Sequence, residues 1–238
     1  MHKPARQQGR SAQARSNNVF RISPSLTVGL VHVRRAAEIG IRGSIMQSSL
    51  FGTEAAKDGE SLETVLAEAL EKARLRFPDR TFVMSTGPHD ADVAVVGESP
   101  GPPDVMAGRP FMGPAGDLLR KILGSIGLEE KDCYLTNTVK FISQGDEVTA
   151  DVIAFFAPLL KREILALGPK IVILLGATPA KALLNSKQPI SKIRGEFADL
   201  DSIAVMPTFN PAYLLRDPTK KREVWADMKR VREFLSRK

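Results

Sequence analysis

Cysteine is nearly absent from this sequence. Cys133 stands alone among 238 residues, so neither an internal disulfide nor a thiolate-rich metal site can form. Histidine is scarce as well, with only His2, His32 and His89. The first two fall in an irregular N-terminal stretch and the third in a Gly-Pro-His-Asp turn. Ser-His-Asp hydrolysis and His-ligated zinc chemistry are therefore not expected. Zinc-dependent base deamination, which needs His and Cys ligands, falls with them. No metal and no cofactor are expected. Long apolar runs are missing too: none approaches the roughly 20 residues that span a bilayer. No membrane partner is expected, and a cytoplasmic location is the default. There is neither a Gly-Lys-Ser/Thr phosphate loop nor a dinucleotide fingerprint.

The net charge of +7 invites a nucleic-acid reading until it is located. Residues 1–45 hold eight basic residues and one acid, Glu38, so that segment alone accounts for +7. The remainder is balanced, with 26 basic and 26 acidic residues. Within it, nine basic and four acidic residues from Arg216 to Lys238 make a local excess of +5. Residues 1–58 show no sustained period and read as a basic, disordered or loosely packed tail. Residues 59–238 read as one domain.

From Ser61 the pattern is regular. Val65, Leu66, Ala69, Leu70 and Ala73 recur at helical spacing before Pro78. Short apolar runs at Asp92–Val96, Cys133–Thr136, Ile171–Leu175 and Ile203–Met206 read as buried strands. Helical patterns at Ala115–Ile126, Ala150–Leu167, Thr178–Leu184 and Thr219–Leu235 alternate with them. The expected fold is α/β: a three-layer α/β/α sandwich with a central four-stranded parallel sheet. Ligands in such folds bind beyond the carboxyl ends of the strands. Those ends are Gly97–Gly101, Asn137–Lys140, Gly176–Thr178 and Thr208–Pro211.

The residues there can carry chemistry. In Gly97-Glu98-Ser99-Pro100-Gly101, glycines allow close backbone approach and proline fixes the loop. Glu98 could orient a water or stabilise positive charge, or be a solvated loop residue. Phe111 stands among glycines and prolines just before a helix, which suits stacking on a planar ligand. Asn137 offers a donor and an acceptor, matching the N3–H and O4 edge of uracil; it could equally be a capping residue. After Thr208-Phe209-Asn210-Pro211, Tyr213 and Leu214 are expected in a loop beside Arg216. They could wedge a DNA step open, or staple the start of the last helix.

These segments in this order resemble the uracil-DNA glycosylase superfamily, nearest its family 4, the iron–sulfur uracil-DNA glycosylases. The likeness runs from about Ser61 to Arg232. It rests on Val96–Gly101, Gly108–Gly116, Tyr134–Lys140, Leu175–Thr178 and Pro211–Arg216. It implies a monomer that flips uracil from single- or double-stranded DNA, hydrolyses its glycosidic bond and leaves an abasic site. Glu98, Ser99 and Asn210 are then the expected catalytic residues. Gly97, Pro100, Gly101, Phe111 and Asn137 would bind the base, with the Gly97–Gly101 amides on its O2 side. Thr178, Pro211, Tyr213, Leu214 and Arg216 would bind DNA. The sequence departs from family 4 in two ways. The four cluster cysteines align with Arg74, Phe77, Phe141 and Phe156, which implies a hydrophobic plug. The last motif begins Asn210-Pro211 where family 4 has His-Pro, as in mismatch-specific glycosylases. A branch that binds uracil covalently through a loop histidine is disfavoured, because Phe141–Thr149 holds none. The alternatives are a catalytically weak binder of uracil or abasic DNA, and a nucleotide-binding α/β module.

Deleting residues 1–45 is expected to leave soluble folding and pocket chemistry intact, and to weaken DNA binding at low salt. Loss of soluble expression would show that this segment belongs to the fold.

Overall fold

The computed structural model describes residues 60–142 and 148–237. The expected tail, 1–58, lies outside the described residues. Helix α1 (Leu62–Arg76) starts at Ser61, whose hydroxyl accepts from the Thr64 amide at 3.3 Å. Then come β1 (Val93–Gly97), a short α2 (Pro102–Ala107), α3 (Pro114–Gly124), β2 (Cys133–Asn137) and α4 (Ala150–Leu167). Strand β3 (Ile171–Leu175) leads to α5 (Ala177–Leu184) and a single turn, α6 (Ile190–Ile193). Strands β4 (Ala198–Leu200) and β5 (Ile203–Thr208) precede α7 (Pro211–Arg216) and α8 (Lys221–Leu235).

The strand order is β2-β1-β3-β5-β4, with β2, β1, β3 and β5 parallel. Successive side chains on a strand point to opposite faces, and β1 shows the consequence. Val93 and Val95 pack with Leu119 and Leu123 of α3 and with Val224, Met228 and Val231 of α8. Ala94 and Val96 pack with Leu160 and Ile164 of α4 and with Ala180 and Leu183 of α5. The sheet is thus covered on both faces, which explains why its strands read as unbroken apolar runs. The three-layer expectation holds.

The expected four strands become five. Strand β4 runs antiparallel to β5 at the sheet edge, with Asp199 opposite Ala204. It joins β5 through Asp201 and Ser202, both at positive φ (50° and 74°), a geometry that suits a two-residue hairpin. Only Leu200 of its three residues is buried, so it carries no apolar run for sequence reading to find.

The expected aromatic plug is present as packed rings. Phe77 and Phe156 lie nearly parallel with centroids 5.9 Å apart, and Phe141 sits 4.9 Å from Phe77. Phe155 and Phe82 extend the group through edge contacts. Arg74 stays exposed. Cys133 belongs to a different part of the core, where burial pushes its thiol up to about 12. These residues do not fit an iron–sulfur cluster: the positions that would ligate it carry rings and a guanidinium.

Replacing Phe156, 1% exposed, by Ala should cost about 3–5 kcal/mol in denaturant unfolding. A loss below about 1 kcal/mol would mean that the rings do not pack as a plug.

Candidate active site

The carboxyl ends of the parallel strands meet at a cavity of about 270 Å³. Glu98, Ser99, Gly101, Asp104, Phe111, Asn137 and Asn210 are among its lining residues. Register brings Gly97 beside Asn137, one at the end of β1 and the other at the end of β2. Both strands continue tied together past their ends. The Thr138 amide and hydroxyl each donate to Gly97 O at 2.9 Å, and the Val139 amide donates to Glu98 O at 2.9 Å.

Gly97 is required by close approach. A Cβ there would stand 2.2 Å from Asn137 Oδ1 and 2.8 Å from Phe111 Cζ. The amide and the ring therefore converge over one glycine. Asn137 is only 3% exposed, yet its side-chain amide has no hydrogen-bond partner among the described residues. A buried amide normally finds partners. The Asn137 amide is not closed off in this way: it lines the cavity, where its donor and its acceptor both remain available.

Beside this pair, Thr178 donates its hydroxyl to Glu98 Oε2 at 2.5 Å, fixing an otherwise exposed carboxylate at the cavity rim. Asn210 caps α7: its Oδ1 accepts from the Ala212 amide at 2.8 Å and its Nδ2 donates to Leu175 O at 3.2 Å. One Nδ2 proton remains for the cavity.

A carboxylate, a stacking ring and a free amide edge around one small cavity can hold a planar base and act on the bond that joins it to a sugar. The family model of the Uracil DNA glycosylase superfamily matches residues 84–229. The chain belongs to the uracil DNA glycosylase superfamily. It is similar to the Type-4 uracil-DNA glycosylase of Thermotoga maritima, at 31% identity over 75% of this chain and 97% of that protein. It also resembles the Type-4 enzymes of Archaeoglobus fulgidus (28% identity; 75% and 96%) and Saccharolobus solfataricus (33%; 71% and 82%).

Within the superfamily frame, several expected roles shift. The Gly101 amide is not free for a base, because it donates to Asp104 Oδ2 at 2.9 Å. Pro100 is buried and does not line the cavity, so it shapes the loop. Thr178 donates its hydroxyl to Glu98 and also lines a groove beside the cavity. Pro211 is buried, as the first residue of α7. Tyr213 and Leu214 lie on that helix, not in a loop. Leu214 is 1% exposed and packed in the core, so it cannot wedge DNA; its neighbour Leu215 is 47% exposed, and Arg216 is exposed too. Asn210 followed by Pro211 is an N-cap with proline at the first helical position, so the short helix, and with it the inward turn of Leu214, was signalled in the sequence.

Two residues missed in the sequence hold Phe111. Its φ is +60°, a left-handed conformation that costs a non-glycine residue roughly 1–2 kcal/mol. Asp104, 7% exposed, accepts from the Met112 amide at 2.6 Å while also holding Gly101. Arg120 Nη1 donates to Phe111 O at 3.1 Å, and its guanidinium is set by Glu130 at 2.8 Å and Asp117 at 2.7 Å. The sequence signal for Asp104 was available, since an acid three residues after Gly101 opens a capped helix. Arg120 had none. At the other side of the cavity, Asp227 holds Thr208 Oγ1 at 2.5 Å and Arg194 Nε at 3.0 Å, and Arg194 lies over the Phe209 ring. That group fixes the chain entering Asn210. Burial raises the Asp227 carboxyl above the usual range, opposed by Thr208 and Arg194.

Gly116 tests the Phe111 geometry. Alanine in a helix should stabilise by about 1 kcal/mol over glycine. Here the added Cβ would meet Phe111 O at 1.7 Å. Gly116→Ala is therefore expected to lower the melting temperature and displace Phe111. A variant more stable than the parent would show that the carbonyl does not sit there.

Proposed function

We propose that the protein is a monofunctional uracil-DNA glycosylase, which hydrolyses the bond between uracil N1 and deoxyribose C1′ and leaves an abasic site. The observation that carries this reading is the amide edge of Asn137, fixed at the end of β2 and open to a cavity beside the Phe111 ring. An extruded uracil would stack on the ring and offer N3–H to Asn137 Oδ1 and O4 to its Nδ2. Cytosine presents an N4 donor and an unprotonated N3, the reverse pattern. As the bond breaks, the sugar becomes cationic and the base anionic. Glu98, held by Thr178, faces the cation and the attacking water. The remaining Asn210 Nδ2 proton faces the leaving base, a neutral donor where family 4 has a histidine. The nearby Lys140 is 3% exposed and paired with Glu163 at 2.6 Å, and among the described residues no lysine lines the cavity, which favours hydrolysis without strand cleavage. The reading includes a monomer acting on DNA that contains uracil.

The experiment is uracil excision from an oligonucleotide, followed by alkali, under single-turnover conditions with binding measured alongside. Asn137→Asp replaces the donor to O4 by an acceptor. It should reduce excision by at least the 1–3 kcal/mol of a lost hydrogen bond, about five- to 150-fold, with charge repulsion adding to it. Glu98→Gln should slow the chemical step and leave binding nearly unchanged, because water and cation are transition-state partners. Parental excision by Asn137→Asp would overturn the pocket assignment. Weakened binding with an intact rate in Glu98→Gln would make Glu98 a loop residue. A parent that binds uracil-DNA tightly without excising uracil would be the weak binder instead.

A further inference from the structure

The base cavity is one end of a longer depression. A groove lined by Gly176, Ala177, Ser191, Tyr213 and Arg216 adjoins it and shares Glu98, Asn210 and Ala212 with it. A second groove shares Ala177 with the first, and Thr178, Lys181, Asn185, Lys187 and Gln188 are among its lining residues. Three hollows therefore join from the strand ends across the start of α5 to the turn before α6.

Charge changes along this path. Residues 177–194 contain Lys181, Lys187, Lys192 and Arg194 and no Asp or Glu. Arg194 is spoken for by Asp227. Lys181 and Lys187 are exposed, and neither has an ion-pair or hydrogen-bond partner among the described residues. Among the described residues, Glu98, at the cavity end, is the only acid lining either groove. The basic C-terminal segment contrasts with this: Lys220 pairs with Glu223, Arg230 with Glu196, and Asp227 and Glu233 interrupt it. Unneutralised cations set along a groove that opens from a base pocket fit a chain of phosphates. Asn185, Ser186 and Gln188 supply neutral partners for phosphate oxygens, and among the described residues no aromatic ring lines the second groove, so the grip there is electrostatic and indifferent to sequence.

Resting on the glycosylase reading above, we propose that the damaged strand leaves the pocket along this path and that Lys181 and Lys187 hold its phosphates. The groove is a binding surface for the DNA backbone that begins beside Glu98 and continues to the turn before α6. It binds a strand and does not act on it.

The test uses the full chain, a Lys181→Gln/Lys187→Gln variant, and an Arg222→Gln/Lys229→Gln control that removes two exposed charges from α8. Binding of a labelled single strand is followed by fluorescence anisotropy across salt concentrations. The lysine variant should flatten the log–log salt slope by about 1.4, two phosphate contacts at roughly 0.7 each. The control should keep the parental slope. On a uracil-containing strand long enough to cross both grooves, the lysine variant should raise KM and keep kcat. A uracil trinucleotide, too short to reach the lysines, should be cleaved alike by parent and variant. An unchanged slope, or an equal change in the control, would overturn the proposal. If the parent excises no uracil from any substrate, the glycosylase reading fails, while the anisotropy comparison still decides the groove.

Discussion

The placement of the site depends on one buried carboxylate. Glu163 of α4 is 1% exposed, and it accepts from Tyr134 at 2.9 Å, Thr136 at 2.9 Å and Lys140 at 2.6 Å. All three donors lie on β2 or just past it, on either side of Asn137. An isolated carboxylate in the interior is very costly, and a buried pair is tolerable only when its remaining lone pairs are satisfied. Glu163 meets that condition only with this segment in this register. A slip of β2 by one residue would turn Tyr134 and Thr136 to the other face and strand the charge. The ion pair thus specifies where Asn137 stands more than it adds stability. Beyond Lys140 the chain enters the aromatic plug at Phe141, so the segment is anchored on both sides of the amide.

The second constraint is geometric. Phe111 sits in a backbone conformation that non-glycine residues avoid, and strain of this kind persists only when the surroundings over-determine it. Here Asp104 holds the following amide and Arg120 holds the carbonyl, while Gly97 and Gly116 leave room for the ring and the carbonyl oxygen. The ring is held in place by the fold itself, so a base that stacked on it, as proposed, would meet a fixed surface. Stacking then does not require ordering of a mobile aromatic, and the ordering cost is met during folding.

Much of this was legible in the sequence, for a physical reason. Strands covered on both faces must be apolar throughout, so β1, β2, β3 and β5 stood out, and the ligand had to lie at their carboxyl ends. Glu98, Phe111, Asn137 and Asn210 were found there. Strand β4 was invisible because an edge strand of three residues needs no apolar run. Leu214 was misplaced because Asn210 and Pro211 signal a turn as well as the start of a short helix, and only the helix points it inward. Arg120 reaches Phe111 across a helix turn, a contact with no local signature. The basic groove was overlooked because charge was counted at the termini. Four cations in 177–194 matter less for their number than for the absence of any acid among them.

Under the proposed mechanism Asn210 would serve both the scaffold and the chemistry. Its oxygen is committed to the Ala212 amide, as an N-cap, and half of its donor capacity goes to Leu175 O. The side chain is thereby fixed at the junction of β3, β5 and α7, and the one remaining proton has a set direction. Thr208, tied to Asp227 and through it to Arg194, prevents the chain before it from shifting. A neutral amide donor gives a hydrogen bond about half as strong as a charge-assisted one. Its advantage is that it needs no proton from solvent and brings no positive charge close to the developing sugar cation. In the proposed reaction, stabilisation of that cation would fall chiefly to Glu98, whose carboxylate is kept at the rim by Thr178 from α5. The same short helix places Lys181 along the groove, so under the proposed reading one element would both aim the carboxylate of Glu98 and meet the strand.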